Sequence, residues 1–147
     1  MTTSALMEVV DVADLSTAKF TYNGIADVYK DSEKKKLKYH VLYYSEVKVG
    51  VNMKDINFEI DETQKKVIAK LPEVQIQNLD VDENIKFLPE NKGWDIKEAY
   101  KACELDANAE ANESEELFNT ARKSLKNMVE VLTSPLINQY EYELVWD

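Results

Sequence analysis

Residues 37 to 81 alternate apolar and polar side chains almost without interruption, and an acidic, alanine-rich stretch with helical spacing follows from about 95 to 133. A period of two puts successive side chains on opposite faces of a sheet, whereas steps of three and four put them on one stripe of a helix. Strands first and helices after point to an α+β protein. The expected architecture is a mainly antiparallel, twisted sheet with two C-terminal helices packed on one face and a last strand returning to an edge. The 147 residues suffice for one domain built from these layers. Its parts are a short N-terminal helix or extension over 1–15, a strand-rich segment over 16–90, a helical segment over 95–133 and a final strand over 140–146.

Within the first part, Leu6, Val9, Val10 and Ala13 recur at helical spacing and predict a helix over 5–14. Phe20 and Tyr22 then alternate with polar neighbours in a bent strand over 16–29, where Asn23-Gly24 would supply a turn or bulge. Residues 37–44 carry apolar side chains on both faces, which suits a central strand, and Val47, Val49, Val51 and Met53 form a second period-two run. Phe58 and Ile60, the polar turn at Asp61 to Gln64, and Val67, Ala69 and Leu71 read as a hairpin ended by Pro72. One more strand runs from Val74 through Val81, and Ile85 to Leu88 continue or re-pair it.

Asp95 followed by Glu98 fits a capping box, so a helix begins there. Its stripe of Ile96, Ala99, Tyr100, Cys103 and Ala107 thins to alanine, and a break is expected at Asn112 to Ser114 before Leu117, Phe118, Ala121, Leu125, Met128, Val129 and Leu132 resume it. Arg122, Lys123 and Lys126 are placed toward the favourable C-terminal half of the second helix, with Pro135 beyond its end. The acidic stretch Asp106 to Glu116, alanine or polar on all sides, is expected to be a mobile or partner-facing segment rather than core.

Eighteen basic against twenty-eight acidic residues leave a net charge of −10, which repels nucleic acid and anionic lipid. The lysines at 30, 34, 35, 36 and 38 lack interleaved stacking residues and read as a solvated loop. A single cysteine permits neither an intrachain disulfide nor a thiolate metal cage. No run of eighteen apolar residues and no export leader occur, so any membrane association is expected through an anchor absent from this chain. Met1 serves equally as a native start or as the start of a trimmed chain.

No reactive centre can be written from what remains. The lone His40 rules out multi-histidine metal sites, and Cys103 falls on a buried helical stripe, where a thiol is a small hydrophobe. Asp80, Asp82 and Asn84 imitate the opening of a calcium loop, but Ile85 stands where glycine is needed and Asn91 where the bidentate glutamate belongs. Of the acidic group Asp55, Glu59, Asp61 and Glu62, three fall at or beside predicted turns, and three scattered glycines make no phosphate-cradling loop. Among the aromatic residues, Tyr44, Trp94 and Trp146 are the candidates for an exposed binding face. No catalytic, cofactor-binding or metal-binding residue is assigned, and no cofactor is expected.

The stretches KVGVNMKDINFEID and KKVIAKLPEVQIQNLDVDENIKFL, with the paired helical segments ending in Leu132 to Ile137, resemble an uncharacterised bacterial domain-of-unknown-function family, number 4230. The resemblance runs from about Leu15 to Trp146 and is most specific around Gly50, at Leu71-Pro72 and at Asp80 and Asp82. It implies a cell-envelope protein, because members typically carry a membrane or lipoprotein anchor before this domain, and it carries over no catalytic residue. Asn52 replaces a frequent aspartate, and no glycine separates the two helices.

Together these readings lead to a non-enzymatic, envelope-tethered binding or assembly module whose partner is a protein, a small ligand or a further copy of itself. The alternatives are a hydrolase using carboxylates, with a divalent ion held by Asp80, Asp82 and Glu83, and a small-ligand carrier with an aromatic-lined pocket.

Overall fold

The computed structural model describes residues 1–11 and 18–147. In chain order these form α1 (Thr3–Asp11), β1 (Ala18–Tyr29), β2 (Leu37–Gly50), a 3-10 turn (Met53–Asp55), β3 (Asn57–Asp61), β4 (Lys66–Lys70), β5 (Gln75–Val81), β6 (Lys86–Leu88), α2 (Ile96–Glu113), α3 (Glu115–Gln139) and β7 (Glu143–Trp146). The class is α+β, with strands leading and two long helices following. The strands divide between two sheets, and the chain divides into two units whose segments alternate along it, 19–49 with 76–117 and 1–18 with 50–75 and 118–147.

In the four-stranded unit β2 is central, with β1 on one side and both β5 and β6 on the other. β6 re-pairs antiparallel to β2, His40 opposite Leu88 and Val41 opposite Phe87. The two apolar runs read between 37 and 53 belong mostly to one strand, because Tyr39, Val41, Tyr43, Ser45, Val47 and Val49 keep one phase and all are buried. Ser45 can hold that phase because its hydroxyl donates to the Tyr22 carbonyl at 3.3 Å. Val51 and Met53 leave the ladder but stay buried, since the Asn52 side chain accepts from the Lys54 amide at 3.1 Å and turns the chain.

In the three-stranded unit β4 is central, antiparallel to β3 and parallel to β7. The β3–β4 turn is made by Asp61, whose Oδ1 accepts from the Thr63 and Gln64 amides at 3.1 and 3.0 Å, with Lys65 at φ 53° completing it. β4 stops before Pro72, as expected. α1 lies against β3 and the 3-10 turn and buries Leu6 and Val10. It begins at Thr3, where the Thr2 hydroxyl accepts from the Ala5 amide at 3.1 Å. The expected end of this helix near 14 and the expected strand start at 16 lie outside the described residues.

The helix break falls where the sequence places it. Ser114 closes α2, and its Oγ accepts from the Leu117 amide at 3.3 Å to open α3. The expected end at Pro135 is overturned, for α3 continues to Gln139. An interior proline costs about 3 kcal/mol or more through a lost bond and a ring clash. Burial on both sides of it offsets that cost: Thr133 before it and Ile137 after it are 0% and 5% exposed, and the Thr133 hydroxyl donates to the Val129 carbonyl at 2.7 Å. Glu141 at φ 60° and the Tyr142 amide bonded to the Ile137 carbonyl at 3.0 Å end the helix instead. Arg122, Lys123 and Lys126 therefore lie near the middle of α3, too far from its end to answer the dipole.

Candidate functional site

α2 packs on one face of the four-stranded sheet, with Ala99, Cys103 and Ala107 against Tyr39, Val41, Tyr43, Ala26 and Val28. Asp95 caps it by accepting from the Lys97 amide at 3.0 Å. Glu98, expected to complete a capping box, turns to the sheet and accepts from the Tyr39 hydroxyl at 2.8 Å and from Lys38 Nζ at 3.1 Å. One helical stretch on, the Tyr43 hydroxyl donates to Asp106 at 2.5 Å. Burial, and then the facing carboxylates, hold the Tyr39 and Tyr43 hydroxyls well above the ordinary tyrosine range. The acidic stretch from Asp106 is therefore packed rather than free of the core, because Ala107 and Ala111 are 1% and 0% exposed.

β1 forms a free edge of this sheet, since among the described residues its neighbour is β2 alone. A groove of about 400 Å³ runs along that edge, lined by Ile25, Ala26, Asp27 and Tyr29 of β1, Lys34 of the following loop, and Ala102, Leu105, Asp106 and Ala109 of α2. Ile25 and Leu105 are 59% and 63% exposed. Gly24 is no turn: β1 runs straight through it, and a Cβ there would meet the Tyr43 ring and hydroxyl at 2.5 Å and the Tyr22 ring at 2.6 Å. Glycine is required because the tyrosine bonded to Asp106 lies over it.

A second open groove of about 300 Å³ lies beside Trp94, between Ile85, Phe87, Glu90, Lys92 and Ile96. The Trp94 ring packs 4.7 Å from that of Tyr39, its Nε1 donates to the Pro89 carbonyl at 2.9 Å, and Lys38 Nζ sits 5.8 Å from its centre. Both its polar tip and its face are thus partly occupied from within the protein.

The other candidates stay apart from each other. His40 stands half-exposed on the face of the sheet opposite α2, its Nδ1 hydrogen-bonded to Asp27 on β1 at 2.5 Å. Cys103 is 0% exposed, and burial, followed by the charges of Asp106 and Glu104, pushes its thiol up to about 12. Asp82 spends Oδ1 on the Asn84 amide at 2.8 Å, and Asp80 accepts from Asn78 at 3.2 Å. Neither these nor Asp55, Glu59, Asp61 and Glu62 belong to any group of three His, Cys, Asp or Glu able to hold a metal ion among the described residues. Tyr44 is 36% exposed, while Trp146 is half-buried in the other unit, where its Nε1 donates to Glu130 at 2.8 Å. In the lysine loop, Lys35 pairs with Glu33 at 3.0 Å.

The groove residues Ile25 and Leu105 were missed by the sequence reading, although both carry a signal. Each is apolar but out of phase with its own buried stripe, Ile25 between Gly24 and Ala26 and Leu105 two residues past Cys103.

Fold and site together define an α+β protein with an open groove along the β1 edge of its four-stranded sheet. The chain belongs to the family described as protein of unknown function (DUF4230), whose model matches residues 7–144. Comparison with curated proteins and with solved structures finds no match. Among the described residues no helix is long and apolar enough to cross a membrane.

Proposed function

We propose that this protein is a non-enzymatic binding or assembly module tethered to the bacterial cell envelope. The observation that supports binding is the groove along β1, because an edge strand with open N–H and C=O groups, bordered by exposed apolar side chains and a few charges, is the surface on which an extended segment is added to a sheet. The family resemblance is what suggests the envelope.

Native mass spectrometry of the protein drawn gently from its own envelope fraction tests this reading. A bound protein chain or a defined oligomer is the expected result. A retained small molecule would move the reading to a carrier. Retained metal, with a melting temperature raised by millimolar calcium, magnesium, manganese or zinc, would move it to a metal-dependent hydrolase.

A further inference from the structure

We infer that the partner of the β1 edge is β1 of a second copy, paired antiparallel about Asn23; this rests on the binding reading above and names its occupant. The first support is what the edge lacks. Natural edge strands are protected by lysines, prolines, bulges or inward charges. In β1 the residues from Phe20 to Ala26 are all uncharged, in a chain that is 31% charged, and the alternation of buried and exposed side chains from Phe20 to Val28 contains no bulge.

The second support is the direction of the backbone. The Lys30 amide donates to the Lys36 carbonyl across the β1–β2 loop, and the Tyr22 carbonyl receives the hydroxyl of Ser45 on β2. Even-numbered residues of β1 thus aim their polar groups at β2, and the odd-numbered residues from Lys19 to Asp27 aim theirs at the free edge.

The third is charge. When two copies pair about Asn23, Thr21 lies opposite Ile25 of the other copy and Lys19 opposite its Asp27, each relation occurring twice by symmetry. The two charges that bracket the uncharged stretch thus meet charges of opposite sign, on the face opposite α2. In the free chain their pairings are exposed, Lys19 with Glu46 at 3.1 Å and Asp27 with His40 and, at 3.5 Å, with the Tyr29 hydroxyl, so both charges stay in solvent within reach of another partner. The same two-fold places both copies of α2 on one side of the joined sheet, flanking the seam, where exposed Leu105 borders the groove.

The test uses the full chain and two variants, Lys19→Glu and Asp27→Lys, followed by sedimentation velocity over a concentration series. Wild type is expected to show a monomer–dimer equilibrium. Each variant alone sets like charges opposite each other twice and should weaken the dimer about tenfold. An equimolar mixture of the two restores both opposite-sign pairs in the mixed dimer and should recover wild-type association. Wild type that stays monomeric at the highest attainable concentration, variants that associate like wild type, or a mixture that fails to recover would each overturn the proposal. Hydrogen exchange of wild type needs no variant: the Thr21, Asn23 and Ile25 amides should gain protection as concentration rises, and concentration-independent exchange would also overturn it. If pairing fails while native mass spectrometry shows another protein bound, the binding reading stands without it; a bare monomer in both experiments removes both.

Discussion

The two units solve the same packing problem with opposite allotments of bulk. In the four-stranded unit the helix supplies small side chains, Ala99, Cys103, Ala107 and Ala111, and the sheet supplies Tyr39 and Tyr43. In the three-stranded unit the helix supplies Leu125, Val129 and Ile137, whereas the central strand offers Val67 and Ala69. A small-residue helix lies close to its sheet, so tyrosine hydroxyls reach over to helix carboxylates and tie the layers with polar bonds. A large-residue helix relies on apolar burial, and the unit's tie from sheet to helix, Trp146 to Glu130, lies at its exposed margin. The difference teaches that the acidic residues of α2 are partly structural, because Glu98 and Asp106 serve as acceptors for the sheet.

The largest effect should come from removing bulk where the helix provides it. Leu125 is 1% exposed, and Leu125→Ala should lose about 2–5 kcal/mol, read from the urea midpoint. In α2 the damaging change is the reverse one. Ala107, also 1% exposed, sits in the cluster that contains Tyr43 and Cys103, and Ala107→Leu should cost about 1–3 kcal/mol by overpacking. A tolerated Ala107→Leu beside a costly Leu125→Ala would break the comparison, because it would mean that α2 can lift from its sheet.

Polar ties come next. Asp106 has one side-chain donor, the Tyr43 hydroxyl, whereas Glu98 has two, from Tyr39 and Lys38. Tyr43→Phe should therefore cost more than Tyr39→Phe, about 1–2 kcal/mol for the former, since it leaves a half-buried carboxylate without its partner. Equal costs would show that Lys38 contributes nothing to holding Glu98.

The same hydroxyls set the alkaline limit. A tyrosine whose folded pKa is raised keeps its proton when the unfolded chain has lost it, so the folded state binds more protons above about pH 10 and stability falls as pH rises. Cys103, raised from 9.0 to about 12, acts in the same direction from a slightly lower pH. Urea midpoints measured from neutral pH upward should stay level and then drop above about pH 9–10. Tyr43→Phe should flatten that drop, and an unchanged profile would place the pH sensitivity elsewhere.

How much of this was legible followed physical range. The β3–β4 hairpin, the Asp95 cap and the break at Ser114 depend on residues within a few positions of each other, and the sequence states them directly. Gly24 misled because its reason lies on another strand: a turn signal from Asn-Gly is local, whereas the Tyr43 ring above it belongs to β2. Pro135 misled similarly, since the burial of Ile137 that carries α3 past it is a tertiary fact overriding a local rule. The division into two sheets was not legible, because period-two alternation fixes which face a residue takes and not which strand lies beside it. The groove stayed hidden for a related reason, as it lies where β1 has no second neighbour among the described residues.

The smallest effect tests the tie of the three-stranded unit. Trp146→Phe keeps most of the ring that packs below Lys126, whose Nζ lies 5.3 Å from its centre, and deletes the donor to Glu130. That bond is exposed, so water replaces the lost partner on both sides, and the cost should be only about 0.5 kcal/mol or less. A double-mutant cycle with Glu130→Gln isolates the pair. Coupling near zero, set against clear coupling between Tyr43→Phe and Asp106→Asn, would locate the difference between the units in burial rather than in the number of hydrogen bonds. Coupling of similar size in both would mean that the margin of the small sheet is drier than the exposure of Glu130 suggests, and that Trp146 anchors β7 as firmly as the tyrosines anchor α2.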